Sequence, residues 1–237
     1  HAIRIHAYGG PEVLQWESVE VPEPGRGEVL LRQTAVGLNF IDVYERTGLY
    51  PGTLPMGLGR EGAGVVAAVG PGVKGIAAGD RVAYVSGQPG AYAQERVMPA
   101  DRLVKIPDGV SDRLAAAAML KGLTAQFLLR RTHRVRKGDA VVIHAAAGGV
   151  GLIAAQWARD LGALVIGVVG SEAKAAIALQ HGCHHALISG RDDLAARVRE
   201  LTGGKGAHVV YDSVGKDTFT ASLDCLRPLG LMVSYGN

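Results

Sequence analysis

Cysteine is scarce in this chain of 237 residues, which holds only Cys183 and Cys225. Two cysteines cannot form a disulfide scaffold, and their scarcity fits a reducing compartment, so the cytoplasm is the expected location. Aromatic residues make up 5% of the chain, charged residues 20%, and the net charge is +3. So slight a positive charge does not by itself indicate a nucleic-acid-binding protein.

Long apolar runs are also missing. No apolar stretch reaches membrane-spanning length without a charge or a turn, and no signal peptide is visible before the strand-like segment at His1. We therefore expect no membrane partner. The hydrophobic content of 48% still allows a sizeable buried core, and 34 glycines indicate many tight turns.

The two halves of the chain differ in pattern. The first consists of strand-like segments such as GEVLLRQTAVGLN and GDRVAYV, separated by proline and glycine, which is typical of a compact, mainly β domain. Near Ser111 a serine cap precedes apolar residues at helical spacing. Beyond it, continuous Val/Ile runs alternate with helices, which indicates a parallel sheet covered on both faces.

The sequence therefore predicts an α/β protein, with a mainly β domain over residues 1–118 and a doubly wound parallel sheet over residues 119–237. In the second half, strands are predicted at 140–144, 164–168, 186–188, 208–211 and 231–235, and helices at 150–161, 172–181, 194–202 and 216–226.

A glycine turn joins the first strand of the second half to its helix, in the stretch VVIHAAAGGVGLIAAQWAR. In a dinucleotide-binding fold, this turn brings backbone amides to the pyrophosphate at the positive end of the helix. Ala146 stands where the first glycine of the usual fingerprint would be. The alternative is an ordinary turn without a ligand, but the strand before and the helix after favour a dinucleotide. The predicted binding residues are Ala147, Gly148, Gly149, Val150 and Gly151.

The end of the second strand indicates which dinucleotide binds. An NAD site needs an acidic side chain there to accept from the ribose hydroxyls, and the stretch VVGSEAK has none at that point. Gly170, Ser171 and Lys174 instead suit a 2′-phosphate, so NADPH is the predicted cofactor. Glu172 is interpreted as favourable charge in the first turn of the next helix. The alternative for Lys174 is a solvated lysine on a helix.

Two further strand ends carry candidate cofactor contacts. Ser213 in DSVG follows the fourth predicted strand, and Gly236 and Asn237 follow the fifth. The carboxyl ends of parallel strands form the ligand edge of an open α/β sheet.

Several stretches in order along the whole chain resemble the medium-chain dehydrogenase/reductase superfamily, in particular its zinc-free, zeta-crystallin-like quinone oxidoreductase branch. They are GGPEVLQ, GLNFIDVYERTGLYP, GLGREGAGVV, AAGDRVAY, LKGLTAQFLL, HAAAGGVGLIAAQWAR and VVYDSVGKDTF. The resemblance implies a GroES-like domain followed by a Rossmann domain, and NADPH:quinone oxidoreductase activity.

The zinc alcohol dehydrogenases of this superfamily place metal ligands in G-x-C-H and G-H-E stretches. This chain has Asn39 in GLNF and Arg60 in GREG, and neither supplies the thiolate or the neutral imidazole that zinc prefers. The four-cysteine structural zinc site is excluded by the cysteine count. We therefore expect no metal, and hydride transfer to an acceptor that is already electron-poor, such as a quinone or a conjugated enone.

The resemblance also assigns residues in the first domain. It implies that Asn39 lies against the nicotinamide end of the cofactor, with Phe40 and Asp42 in the same segment, whereas the alternative for Asn39 is a turn residue. Tyr44 and Tyr50 match tyrosines near the substrate site, where a phenol could bind a reduced quinone oxygen or relay a proton. Aromatic packing is an equal alternative for each tyrosine.

In the stretch LKGLT, Lys121 and Thr124 match positions near the cofactor, and surface roles on a helix are the alternative. Related chains often carry a tyrosine beside the 2′-phosphate after the third strand, but this chain has Gly190 there, followed by Arg191 as a candidate replacement. Family members also continue past a segment like SYGN. We therefore expect a truncated Rossmann domain and a homodimer in the full-length form. The activity of this chain alone is left undecided by the sequence.

A basic stretch, RRTHRVRKG, leaves a further alternative open, because some zeta-crystallin relatives bind RNA; a solvated helix end is the simpler interpretation. Three functions remain: an NADPH-dependent quinone reductase, an enone or 2-alkenal reductase, and an NADPH-binding protein with an RNA-binding or structural role.

Overall fold

A computed structural model describes residues 1–236. The chain divides into two units, one spanning His1–Leu120 and a second that starts at Lys121. No helix of the described residues is long and apolar enough to cross a membrane.

The first unit is mainly β. Its larger sheet is antiparallel, with five strands in the order β7-β3-β5-β6-β8, and a smaller sheet has the order β2-β1-β4. The strands are β1 Ala2–Ile5, β2 Gln15–Glu17, β3 Glu28–Gly37, β4 Met56–Gly57, β5 Glu61–Val69, β6 Arg81–Val85, β7 Glu95–Pro99 and β8 Leu103–Lys105. Alternate residues of the larger sheet face the core, where Val29, Leu31, Val66, Val82 and Met98 are buried.

Helix α1, Phe40–Thr47, is bounded at both ends by its own sequence. The Asp42 carboxylate accepts a hydrogen bond from the backbone N–H of Asn39 (2.9 Å), so the two residues form a capping box. Gly48 has a φ of 82°, the left-handed conformation that commonly ends a helix.

Helix α2, Asp112–Phe127, begins at the predicted serine cap. The Ser111 hydroxyl accepts from the N–H of Leu114 at 3.2 Å. The predicted domain boundary near Ala118 falls inside this helix, as does the division between the two units after Leu120. A π-helical turn, Leu128–Thr132, follows.

The second unit is a five-stranded parallel sheet in the order β11-β10-β9-β12-β13. Its strands are β9 Ala140–His144, β10 Leu164–Val169, β11 His185–Ile188, β12 Ala207–Asp212 and β13 Leu226–Ser234, and its helices are α3 Gly149–Asp160, α4 Glu172–Gln180, α5 Leu194–Leu201 and α6 Phe219–Asp224.

Both faces of the parallel sheet are covered, which explains its continuous apolar strands. Along β9, Val141 packs with the alanines of α3, whereas the next residue, Val142, packs with Leu194 and Val198 of α5 on the opposite face. The predicted doubly wound α/β class is therefore confirmed.

Most predicted elements of this unit agree with the structure to within two residues, but the last helix and strand do not. Helix α6 is shorter than the predicted span of 216–226, because Asp212 accepts from the N–H groups of Val214 (2.8 Å) and Gly215 (3.1 Å) and holds the chain after β12 in a turn. Strand β13 begins five residues earlier than predicted, and its pairing with β12 contains a register shift.

Candidate functional site

The carboxyl edge of the parallel sheet brings together the predicted cofactor residues of the second unit. All five strands run in the same direction, so the turns that follow them lie along one edge. The strand order reverses between β9 and β12, and such a switch point is where open α/β sheets bind ligands. The glycine turn follows β9, Gly170 and Ser171 follow β10, Ser213 follows β12 and Gly236 follows β13. Asn237 lies outside the described residues.

The glycine turn leaves the start of α3 open to an anion. The N–H of Gly148 donates to the carbonyl of Ala145 at 2.8 Å, and Ala145 has a φ of 49°. Gly148 is the N-cap residue of α3 and has no side chain to cap the first turn. The N–H groups at the start of this 12-residue helix therefore point to where a phosphate would bind, with the helix dipole favouring negative charge. Ala147 and Val150 belong to the same turn.

Close packing explains why this turn needs its glycines. A Cβ on Gly151 would lie 2.7 Å from the Cα of Ala146, and one on Gly149 would lie 2.8 Å from the Cδ of Lys121. Ala146 replaces the usual first glycine because the neighbouring strand makes room for it: a Cβ on Gly167 would lie 2.8 Å from the Ala146 methyl group. The alanine methyl group thus fills space that a glycine in β10 leaves.

The stretch LKGLT lies next to this turn. Lys121 and Thr124 both belong to α2, and the Lys121 stem packs on Gly149, as the Cβ distance shows. This packing favours a cofactor role for Lys121 over a purely solvated one. For both residues the cofactor contact stays a prediction.

The 2′-phosphate site predicted at the end of β10 stays a prediction, and the structure differs from the expectation at Arg191. A Cβ on Gly170 would meet no atom within 4 Å, so this position is open, and the Ser171 hydroxyl caps α4 by accepting from the N–H of Lys174 (3.4 Å). Arg191 pairs with Glu172 and with Asp192 (3.3 Å), so its charge is already balanced by carboxylates. Lys174, which is exposed, is the stronger phosphate candidate of the two cations.

Gly190 has a φ of 80°, a backbone conformation in which a tyrosine would be strained. At the end of the next two strands, a Cβ on Gly236 would lie 3.0 Å from the Cα of Ser213. The two loops that follow β12 and β13 therefore touch, and both line the predicted ligand edge.

A buried polar network behind this edge was not predicted. The Asp212 carboxylate accepts from the hydroxyls of Thr218 (2.7 Å) and Ser222 (2.8 Å), and the Ser222 oxygen lies 2.9 Å from Nε2 of His144. Burial lowers the pKa of His144, although the nearby negative charge of Asp212 acts to raise it. His144 immediately precedes the glycine turn, so the network connects that turn to the loop carrying Ser213. The signal in the sequence was polar residues at strand ends, His144 and Asp212.

In the first unit, the start of α1 carries an aromatic group. The rings of Phe40 and Tyr44 meet edge to face with centroids 5.2 Å apart, and those of Tyr44 and Tyr50 with centroids 5.3 Å apart. Phe40 is 70% exposed beside Asn39, which is unusual for so large an apolar side chain. The packing alternative and a substrate role are therefore compatible for both tyrosines.

Asp42 is a buried residue with a structural task. Its Oδ2 accepts from the Asn39 N–H and from the Tyr92 hydroxyl (2.5 Å), while Oδ1 is buried without a hydrogen-bond partner. Burial raises the pKa of Asp42, although the bonds from Tyr92 and Asn39 oppose the shift. Burial and the bond to Asp42 also raise the pKa of Tyr92. Asp42 thus holds the backbone of Asn39, and a direct contact of Asp42 with the cofactor stays a prediction.

The positions of the zinc ligands in the metal-dependent relatives are occupied by hydrogen-bonded side chains. Arg60 donates from Nε to Glu45 Oε1 at 2.7 Å, and the amide of Asn39 donates to Glu61 Oε1 at 2.8 Å. Glu45 and Glu61 are both buried, and neither was predicted as a site residue. Among residues 1–236, no three His, Cys, Asp or Glu side chains are grouped so that they could hold a metal ion.

The basic stretch after α2 is a largely solvated turn. Five of its cations are exposed, namely Arg130, Arg131, Arg134, Arg136 and Lys137. His133 instead pairs with Asp139 at 3.0 Å. RNA binding by these exposed cations stays a predicted alternative to a solvated helix end.

Comparisons with known proteins cover both units. Residues 25–108 match the alcohol dehydrogenase GroES-like domain family, and residues 149–237 match the zinc-binding dehydrogenase family. The chain is 54% identical to a quinone oxidoreductase of Pseudomonas aeruginosa, in an alignment covering 99% of this chain and 73% of that protein. It is 52% identical to a 2-haloacrylate reductase of a Burkholderia species, with coverage of 98% and 72%.

Among solved structures, the Escherichia coli quinone oxidoreductase complexed with NADPH matches with a TM-score of 0.97 and 50% identity. The match covers 100% of this chain and 73% of that one. The GroES-like and Rossmann units predicted from the sequence are thereby confirmed. The chain belongs to the quinone oxidoreductases of the medium-chain dehydrogenase/reductase superfamily.

Proposed function

We propose that this chain is a zinc-independent NADPH:quinone oxidoreductase. The observation that carries the proposal is the open start of α3 at the switch point of the parallel sheet. There Gly148 provides no cap, and a side chain on Gly151 would collide with the backbone of Ala145 and Ala146. This arrangement suits the pyrophosphate of a dinucleotide. The relatives named quinone oxidoreductase and the NADPH-bound relative support the acceptor and the cofactor.

In the second unit, each candidate residue has a distinct task. The N–H groups of the turn from Ala147 to Gly151 bind the pyrophosphate, and the Lys121 ammonium adds a positive charge beside them. Ser171 and Lys174, next to the open position at Gly170, bind the 2′-phosphate. Ser213 and Gly236 present backbone groups at the neighbouring strand ends, and Thr124 stays a predicted contact on α2.

In the first unit, Asn39 and Phe40 are proposed to contact the nicotinamide end of the cofactor. The cofactor, when bound, supplies the hydride. Tyr44 and Tyr50 are proposed to donate hydrogen bonds to the oxygens of the quinone, where negative charge develops during its reduction, and one of them to pass on the proton. A quinone distributes that charge over its own ring, so hydrogen-bond donors are sufficient on the protein side.

A reductase of conjugated double bonds is the second candidate. The relative named 2-haloacrylate reductase supports it, because a haloacrylate carries an alkene conjugated to a carboxylate. An RNA-binding role would rest on the five exposed cations after α2. A homodimer and a cytoplasmic location stay predictions; two buried free thiols are compatible with the latter.

A steady-state assay tests the proposal. The chain is given 1,4-benzoquinone or a 2-alkenal, each with NADPH or NADH, with and without EDTA. We expect NADPH oxidation with the quinone, a kcat/KM roughly tenfold lower with NADH, and no effect of EDTA. Faster turnover of the alkenal would favour the second candidate. NADPH binding without turnover of either acceptor would contradict both enzyme proposals.

A further inference from the structure

A fully buried carboxylate lies against the amide of Asn39. Glu61, the first residue of β5, is 0% exposed. Its Oε1 accepts from Nδ2 of Asn39 at 2.8 Å, and its Oε2 accepts from the backbone N–H of Leu120 in α2 at 2.7 Å. Burying a carboxylate is costly unless both oxygens are hydrogen-bonded. These two bonds provide that compensation.

The neighbouring strand is shaped around this carboxylate. Gly37 of β3 pairs with Glu61 in the antiparallel register, and a Cβ on Gly37 would overlap the Glu61 side chain. The glycine of GLNF, two residues before Asn39, therefore gives Glu61 its path to the amide. The glycine at position 37, its pairing with Glu61 and the hydrogen bond from Asn39 thus all belong to the same contact.

This contact determines which way the Asn39 amide faces. The oxygen and nitrogen of an asparagine amide have similar shapes, so packing alone does not distinguish the two orientations. The Glu61 carboxylate can only accept, so it requires the Nδ2 side of the amide. On the other side, the capping box turns the amide oxygen of Asn39 to the N–H of Asp42. One N–H and one lone pair of the amide then remain for a ligand, each in a defined direction.

We propose that Glu61 is a positioning residue, which fixes the orientation of the Asn39 amide for the nicotinamide end of NADPH. The inference rests on the proposed function only for the identity of the ligand. The orientation itself can be tested without any ligand.

A hydrogen-bond swap tests the orientation. In Glu61→Gln, the new amide cannot accept from both Asn39 and Leu120, so one bond is lost. In Asn39→Asp, two carboxylates face each other. In the double variant, the introduced glutamine donates to the introduced aspartate and still accepts from the N–H of Leu120, while the introduced aspartate accepts from the N–H of Asp42. These three bonds are restored, and the total charge is that of the wild type.

We expect each single variant to lower the thermal midpoint by roughly 3–6 °C, the shift typical of losing one buried hydrogen bond in a chain of this size. The double variant is expected to recover most of that loss, because the effects of substitutions at two contacting residues on stability are not additive. If Glu61→Gln does not fold, a folded double variant supports the inference. A double variant that is no more stable than the single variants overturns it.

Nuclear magnetic resonance gives a direct readout, because the chain has only two asparagines, Asn39 and Asn237. Labelling asparagine side chains with ¹⁵N therefore yields two amide groups. In Glu61→Gln we expect the Asn39 resonances to shift and those of Asn237 to stay in place. Unchanged Asn39 resonances would show that Glu61 does not orient the amide.

Steady-state kinetics test the consequence for the cofactor. Glu61→Gln should raise the KM for NADPH about tenfold and change kcat and the KM for quinone less than about threefold, because a lost ground-state contact acts on binding. Tyr84→Phe is the matched control: Tyr84 is a buried tyrosine of the same sheet whose hydroxyl donates to Gln33. It should lower the thermal midpoint without changing the KM for NADPH.

The outcomes separate this inference from the proposed function. If the wild type does not use NADPH, the proposed function fails. The stability of the double variant and the Asn39 resonances still test whether Glu61 orients the amide. If the wild type is active and Glu61→Gln keeps its KM for NADPH, the positioning role is wrong. An equal rise of that KM in Tyr84→Phe would assign the effect to general destabilisation and would also overturn the inference.

Discussion

At the scale of single residues, the environment of a side chain decides what it can do. Lys174 and Arg191 are both exposed cations near the end of β10, yet they differ in their partners. Arg191 is paired with Glu172 and Asp192, and a phosphate would have to compete with those carboxylates. Lys174 follows the capping residue Ser171 in the first turn of α4. We therefore predict that a 2′-phosphate is bound mainly by Lys174.

The substitution Lys174→Ala tests this assignment. We expect the KM for NADPH to rise about tenfold, the loss typical of one hydrogen bond to a charged group, and the KM for NADH to change less than about twofold. Steady-state assays with both cofactors measure the two values. Lys205→Ala is the control, since Lys205 precedes β12 at the opposite edge of the sheet and should leave both values unchanged. Equal losses for both cofactors would refute the phosphate role.

At the scale of elements, the turn between β9 and α3 is shaped by contacts on all sides. Lys121 packs on Gly149, Gly151 packs on Ala146, and Ala146 packs on Gly167 of the next strand. At Gly151 the turn therefore has no space for an added side chain, although the start of α3 stays open to an anion. Alanine fits in place of the first glycine of the fingerprint, because Gly167 leaves room for the Ala146 methyl group.

The substitution Gly151→Ala tests this packing. An added methyl group would collide with the backbone of Ala145 and Ala146, so we expect the free energy of unfolding to fall by roughly 1–3 kcal/mol. Denaturant unfolding measures the change. Gly122→Ala is the matched control in α2, where a Cβ meets no atom within 4 Å and should stabilise the helix by up to about 1 kcal/mol. Similar effects in both variants would contradict the packing argument.

At the scale of the whole molecule, buried polar groups connect elements that are distant in the chain. Asp212 ends β12, fixes the loop to α6 and reaches His144 of β9 through Ser222. Burial acts to raise the pKa of Asp212, but hydrogen bonds from Thr218, Gly215, Ser222 and Val214 outweigh it and hold the pKa below its ordinary value. The network therefore links stability to pH.

The sign of this dependence follows from the lowered pKa. The stabilising contribution of the Asp212 carboxylate is complete above the unfolded pKa of about 3.9, and it is lost as pH falls through the folded pKa. We expect Asp212→Asn to lower the free energy of unfolding by about 2 kcal/mol at pH 7. The difference from the wild type should shrink below about pH 4.

Thermal unfolding measured from pH 3 to pH 7 checks this expectation. Asp217→Asn is the control, since Asp217 lies in the same loop with an exposed side chain and should leave the unfolding curve unchanged. A difference between Asp212→Asn and the wild type that stays constant down to pH 3 would mean that the carboxylate charge is not what stabilises the loop.

The sequence by itself determined the family, the fold class and nearly every strand and helix of the second unit. These properties depend on local patterns: apolar runs, glycine turns and capping residues such as Ser111 act on neighbouring residues, so they can be read from a short stretch. The candidates Gly148, Ser171 and Lys174 were found in this way, because their positions relative to a strand end are local.

Only the tertiary structure decided which distant residues meet. Asn39 and Glu61 are 22 residues apart, and Tyr92 and Asp42 are 50 apart. No pattern near Glu61 indicated that its carboxylate orients an amide on another element. The pairing of Glu61 with Gly37 across two antiparallel strands makes that contact possible. Because Glu61 is buried, its carboxylate needs hydrogen-bond donors from within the protein.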